Sequence, residues 1–135
     1  MSVFLDTNIL LYADDADAGR KADVARALIR RCMLDRTGVL STQVLQEYYV
    51  NARKKLRMDG AAAKARVEVY TGFAVIPILP PLVLAAIDLH RLDMVSFWDA
   101  LVICAAEQAG CEVLYSEDLQ AGRRFGSVRV LNPFA

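Results

Sequence analysis

Val3-Phe4-Leu5-Asp6-Thr7-Asn8-Ile9-Leu10-Leu11 decides how this chain is read. Val3 to Leu5 is a short apolar run with the character of a buried strand. Asp6 follows at once, and Ile9 to Ala13 has helical character. In an open α/β sheet, ligands sit beyond the carboxyl ends of parallel strands, so Asp6 stands where such a fold does chemistry. The structural alternative is that Asp6 or Thr7 only caps the helix.

Outward from this stretch, helical and strand patterns alternate. Residues 20 to 34 place Ala22, Ala25, Leu28, Ile29 and Cys32 at amphipathic spacing among charged neighbours. Gly38 to Ser41 reads as a second strand. Thr42 to Leu56 is helical, with Leu45, Tyr48, Tyr49, Ala52 and Leu56 on one stripe and Glu47 on its flank. Helix from Ala61 to Phe73, strand from Ala74 to Ile78, and helix from Pro80 to about Leu92 follow, proline suiting a first turn. Ser96 introduces a helix from Phe97 to Gln108, closed by Gly110. Cys111 to Tyr115 and Val128 to Leu131 complete the strands. Asp14, Asp15 and Asp17 read as a solvated connection. This alternation implies βαβ units, hence an α/β class with a mostly parallel sheet. At 135 residues the chain fits a single domain, 1–135.

Composition narrows the chemistry. Sixteen basic and sixteen acidic side chains cancel, so a nucleic-acid partner must be held by local basic patches. The basic residues gather at Arg53-Lys54-Lys55 and at Arg123-Arg124, which are solvated faces or contacts for RNA phosphates. Three cysteines without a C-x-x-C pattern give neither a disulfide framework nor a thiolate zinc site. The longest apolar run, Phe73 to Ile87, is interrupted by Pro77, Pro80 and Pro81, so no membrane span is expected. No basic-then-apolar leader pattern opens the chain, and the expected location is the cytoplasm. A hydrophobic fraction of 56% in so small a chain means either apolar surface covered by another chain, hence self-association, or a well-filled core.

Four acids carry the chemistry. Asp6 and Asp118 each follow an apolar strand, and Glu47 and Asp99 lie in the first two turns of helices. If they converge on one sheet end, their mutual repulsion calls for protons or a cation. Oxygen-only ligands suit Mg²⁺ or Mn²⁺. Such an ion polarises phosphoryl oxygens and acidifies water, which suggests phosphodiester hydrolysis. Each acid has a structural alternative: Asp99 as a capping-box partner of Ser96, Asp118 as a turn cap, Glu47 as an ion-pair partner of Lys54 or Lys55. The one histidine, His90, excludes chemistry needing two imidazoles. No nucleophile elbow, P-loop or dinucleotide fingerprint occurs.

Phe4-Leu5-Asp6-Thr7-Asn8, Ser96-Phe97-Trp98-Asp99-Ala100-Leu101 and Leu114-Tyr115-Ser116-Glu117-Asp118-Leu119-Gln120 resemble the PIN-domain ribonucleases, most closely the VapC-type toxins of type II toxin–antitoxin pairs. The resemblance implies a three-layer α/β/α sandwich and a Mg²⁺- or Mn²⁺-dependent endoribonuclease. It implies Asp6, Glu47, Asp99 and Asp118 as catalytic metal ligands, with Ser116 beside the site and Asn8 orienting ligands. Homodimerisation and a cognate antitoxin are further implications. The antitoxin would insert an Arg or Lys into the acidic cleft, because a guanidinium pairs with carboxylates. Nucleases of RNA processing without an antitoxin, and a non-enzymatic RNA- or protein-binding module, are the alternatives within this likeness. A receiver domain would need an aspartate after its third strand and a late lysine, and no lysine follows residue 64. A haloacid-dehalogenase-type phosphatase would need D-x-D where Asn8 stands.

Overall fold

The computed structural model describes all residues, 1–135. Strand β1 (Val3–Leu5) lies inside a six-stranded sheet of order β3-β2-β1-β4-β6-β5. Its neighbours β2 (Gly38–Ser41) and β4 (Val113–Tyr115) are both parallel to it. Strands β3 (Ala74–Ile76) and β6 (Val128–Leu131) extend the sheet in parallel on either side. Only β5 (Arg124–Phe125) runs antiparallel, against β6. The chain builds outward from β1 to β3, then returns to place β4 on the other side of β1. The connection order therefore reverses between β1 and β4, and ligands bind at such switch points.

Helices α1 (Thr7–Ala13), α2 (Arg20–Asp35), α3 (Thr42–Lys54) and α4 (Gly60–Tyr70) pack on one another. Helices α5 (Pro80–Asp93) and α6 (Phe97–Gln108) form a second pair, with α6 against β2, β4 and β6. The result is the expected three-layer α/β/α arrangement. Phe4, Leu5, Ile9, Leu10, Leu40, Val44, Ile103, Leu114 and Val130 are fully buried in one core. Each such side chain contributes about 1.5–3 kcal/mol of apolar burial. Gly38 is required by packing: a Cβ there would stand 2.4 Å from the Phe73 ring.

Helix starts follow local chemistry. The Ser41, Asp59 and Ser96 side chains accept the N–H groups of Val44, Ala62 and Asp99, capping α3, α4 and α6. Element ends depart from the periodicity by a few residues. Helix α3 stops at Lys54 and α4 at Tyr70, where the Thr71-Gly72 turn intervenes. Strand β3 stops at Ile76, because the Ile78 N–H leaves the ladder for the Thr42 hydroxyl at 3.1 Å.

The expectation of a solvated connection at Asp14 is corrected. Asp14 Oδ2 accepts the hydroxyls of Tyr48 at 2.6 Å and Tyr70 at 2.7 Å, and Arg66 reaches both carboxylate oxygens. Two buried phenols need an acceptor, and one carboxylate at the end of α1 serves both. Burial and then the Asp14 carboxylate push both phenols' pKa values up. No helix is long and apolar enough to cross a membrane.

Candidate active site

The register Leu5↔Tyr115 puts Asp6 and Ser116 side by side just past the ends of β1 and β4. The Asp6 N–H donates to the Tyr115 carbonyl at 3.0 Å, which fixes the backbone there. Asp6 is buried, and both its oxygens are held. Oδ1 accepts the Thr7 N–H at 2.8 Å and Oδ2 accepts the Ser116 hydroxyl at 2.8 Å. Ser116 Oγ in turn accepts the N–H groups of Asp118 and Leu119, so one hydroxyl ties Asp6 to the turn carrying Asp118.

Thr7 turns the other way and donates its hydroxyl to Glu47 Oε1 at 2.8 Å. Asn8 donates to Asp118 Oδ2 at 2.7 Å. Thr7 and Asn8, together with Ser116, thus orient the three acids Asp6, Glu47 and Asp118. The hydroxyl of Ser96 caps the Asp99 N–H at 3.0 Å, but the reciprocal bond of a capping box is absent. No hydrogen bond or ion pair within the chain engages the Asp99 carboxylate.

All four acids line one cleft of about 190 Å³ at the carboxyl edge of the sheet, together with Thr7, Asn8, Gln43, Asn51, Trp98 and Val102. A larger groove of about 600 Å³ between α3 and α4 is lined by Leu45, Tyr49, Val50 and Val67 and contains no carboxylate. Chemistry rather than size selects the smaller cleft.

Electrostatics agree with convergence. Burial pushes the Asp6 carboxyl up to about 6, against the hydrogen bonds from Ser116 and Thr7, with Asp118 and Glu47 adding to the rise. Asp118 is also raised, by burial first and then by Asp99 and Glu117; Asn8 and Lys55 oppose the rise. The donor set is oxygen only, which suits a hard divalent cation. No three acidic, cysteine or histidine groups stand close enough together to form a ready-made cation cage. Mg²⁺ keeps several of its waters when bound, so contact through water fits this spacing.

Glu117 is separated from Asp118 by its partners. It accepts the Tyr12 hydroxyl at 2.6 Å and pairs with Lys21 Nζ at 2.6 Å, outside the cleft. Burial works against its charge, but these two bonds outweigh it and hold the carboxyl below its usual range.

Among the basic residues, Arg53 donates to the Met58 carbonyl, and Arg123 pairs with Asp93 while stacking on Phe125. Lys54, Lys55 and Arg124 are exposed. None of the five lines the cleft, and Lys55 is the one whose charge is felt at Asp118. The ion pairs considered between Glu47 and Lys54 or Lys55 do not form.

The sequence reading missed Thr7, Gln43, Asn51 and Trp98 as cleft residues. A signal existed for two of them. Gln43, Glu47 and Asn51 recur every fourth residue and therefore share one face of α3. Asn51 secures that face by donating to the Glu47 carbonyl at 2.9 Å.

Comparison with known proteins places this architecture. No curated protein matches the chain. The crystal structure of Mycobacterium tuberculosis VapC20, described as a sarcin–ricin-loop-cleaving toxin, superposes with a TM-score of 0.68 at 24% identity, covering 87% of this chain and 90% of that one. VapBC2 of Rickettsia felis, bound to promoter DNA, gives a TM-score of 0.71 at 17% identity over 98% of both chains. A toxin–antitoxin complex from Klebsiella pneumoniae gives 0.71 at 20% identity, also over 98% of both. At these identities the likeness establishes the fold. The family model of the PIN domain matches residues 3–124, most of the length, and the chain belongs to the PIN domain family.

Proposed function

We propose that this protein is a Mg²⁺- or Mn²⁺-dependent endoribonuclease and the toxin of a toxin–antitoxin pair, acting as a single domain over residues 1–135. The observation that carries the reading is the cleft shared by Asp6, Glu47, Asp99 and Asp118. Three of these carboxylates are oriented by Thr7, Asn8 and Ser116, and the fourth, Asp99, is left without a protein partner. The four acids would hold the cation. When bound, it supplies charge for a phosphoryl oxygen and acidifies an attacking water. The chain's own part is to keep Asp6 ionised through two hydrogen bonds, to aim Glu47 and Asp118, and to offer Asp99 unencumbered.

Lys55, and with it Lys54 and Arg124, would meet RNA phosphates at the rim. Arg53 and Arg123 would take part only by leaving the contacts they make within the chain. The match to the PIN domain and the likeness to VapC20 and to toxin–antitoxin complexes support the toxin reading and a cognate antitoxin. Exposed Leu84, Leu92 and Met94 on and just after α5 support self-association. The cytoplasm is the proposed location.

The test is cleavage of RNA by purified protein with Mg²⁺, Mn²⁺ or EDTA, alone and after co-expression with the neighbouring open reading frame. Metal-dependent cleavage that the neighbour's product suppresses is expected. Cleavage unaffected by the neighbour would remove the toxin assignment and leave the nuclease.

A further inference from the structure

Trp98 is the one large aromatic side chain of the cleft, and nothing in the carboxylate chemistry uses it. The residue is 63% exposed, although it directly precedes Asp99 in the first turn of α6. Its backbone is nevertheless held in place. The Phe97 ring meets the indole edge-on at a centroid distance of 5.2 Å. Its carbonyl accepts Gln43 Nε2 at 3.1 Å, which ties the start of α6 to α3. That bond also sets the Gln43 amide, since the reversed amide would set oxygen against oxygen. Gln43 is 5% exposed, and its Oε1 has no hydrogen-bond partner in the chain. One wall of the acidic cleft thus carries an exposed aromatic residue whose backbone is held by a buried Gln43.

We propose that Trp98 is a stacking platform for one nucleobase of a single-stranded substrate, held beside the four carboxylates, with Gln43 as the residue that positions it. This rests on the nuclease reading and adds a substrate subsite to it. Unpaired bases stack on aromatic side chains in single-stranded recognition. A base suits this wall better than a protein surface does. Trp98 shares the lining of one cleft with Asp6, Glu47, Asp99 and Asp118. An apolar partner pressed onto Trp98 would strip water from those acids, which is costly for charged groups. A planar base covers the indole alone and leaves its phosphates hydrated.

Trp98 is the chain's one tryptophan, so intrinsic emission reports this residue alone. The experiment titrates the protein with ten-nucleotide oligoadenylate and oligouridylate, and with an abasic strand of equal length, in Ca²⁺ and in EDTA. Anisotropy of labelled strands reports binding independently. Base-bearing strands should quench the emission, and the abasic strand should not. Trp98→Ala should weaken binding about 5- to 150-fold, raising KM more than it lowers kcat, and Trp98→Phe should recover most of the loss. The side chain is exposed, so the variant keeps its fold.

Bound RNA with unchanged emission, or Trp98→Ala with the parent's KM, overturns the proposal. So does emission that changes with protein concentration alone in step with a dimer mass, which assigns Trp98 to a contact between copies. Failure of strands to bind at all overturns it as well. Quenching in Ca²⁺ together with no cleavage in Mg²⁺ or Mn²⁺ keeps the platform and removes the nuclease reading, whereas cleavage in Mg²⁺ or Mn²⁺ with emission unchanged in Ca²⁺ does the reverse.

Discussion

Ser116→Ala should destabilise the metal-free protein by an amount that grows with pH. The Ser116 hydroxyl donates to Asp6 Oδ2 at 2.8 Å, and both residues are buried. A hydrogen bond to an ionised group contributes about 1.5–3 kcal/mol. The same hydroxyl accepts two backbone N–H groups at 3.2 and 3.4 Å, weaker contacts together worth about 1 kcal/mol at any pH. Asp6 sits near 6 when folded against its usual 3.8, so the folded state holds the proton more tightly than the unfolded one. Stability therefore falls as pH rises from about 4 to about 6, and the full cost is present above that. Removing the hydroxyl raises the Asp6 carboxyl further, at about 1.4 kcal/mol for each pKa unit. The variant should lose about 1 kcal/mol near pH 4.5 and about 2–4 kcal/mol near pH 8. Urea unfolding in EDTA at both pH values reads this directly. A loss that is equal at the two pH values, or larger at the acid one, would refute the assignment of Ser116 as the donor that supports a charged Asp6.

Asp99→Asn keeps the Ser96 cap, which uses only the Asp99 N–H, and removes one charge from beside Asp118. In EDTA the variant should melt at or above the parent's temperature, while the rise in Tm caused by Mg²⁺ shrinks and cleavage is mostly lost. Lower metal-free melting with near-parent cleavage and the full Mg²⁺ shift would make Asp99 a scaffold residue. Asp14→Ala leaves the buried hydroxyls of Tyr48 and Tyr70 and the Arg66 charge without their shared acceptor. It should cost about 3–5 kcal/mol in urea unfolding, with activity per folded molecule unchanged. Gly38→Ala drives a methyl into the Phe73 ring and should cost about 1–3 kcal/mol, seen as a lower urea midpoint at unchanged slope.

What could be read from the residues followed local rules. Val3 to Leu5 with Asp6 behind it needs only the strand pattern and the rule about carboxyl ends, and Ser96 needs only the capping preference. The parallel sheet followed from strand and helix alternating along the chain, and the three-layer order from the resemblance to the PIN-domain ribonucleases. What escaped depends on contacts between distant segments. Asp14 resembled its solvated neighbours because Tyr48 and Tyr70, which need it, stand far along the chain. The role of Glu117 beside Asp118 was not legible, because the Lys21 and Tyr12 side chains that hold it stand far back in the chain. Strand β5 is two residues long, too short to carry a period. Gln43 and Asn51 were within reach, since they repeat with Glu47 along one helix face. That polar face was overlooked beside the apolar stripe of the same helix.

The most direct test of the central claim is the chemistry of the RNA ends left by the purified protein. Cleavage that requires Mg²⁺ or Mn²⁺, disappears in Asp99→Asn and leaves a 5′-phosphate and a 3′-hydroxyl is the predicted result. Full cleavage in excess EDTA, or products ending in 2′,3′-cyclic phosphate, would contradict it.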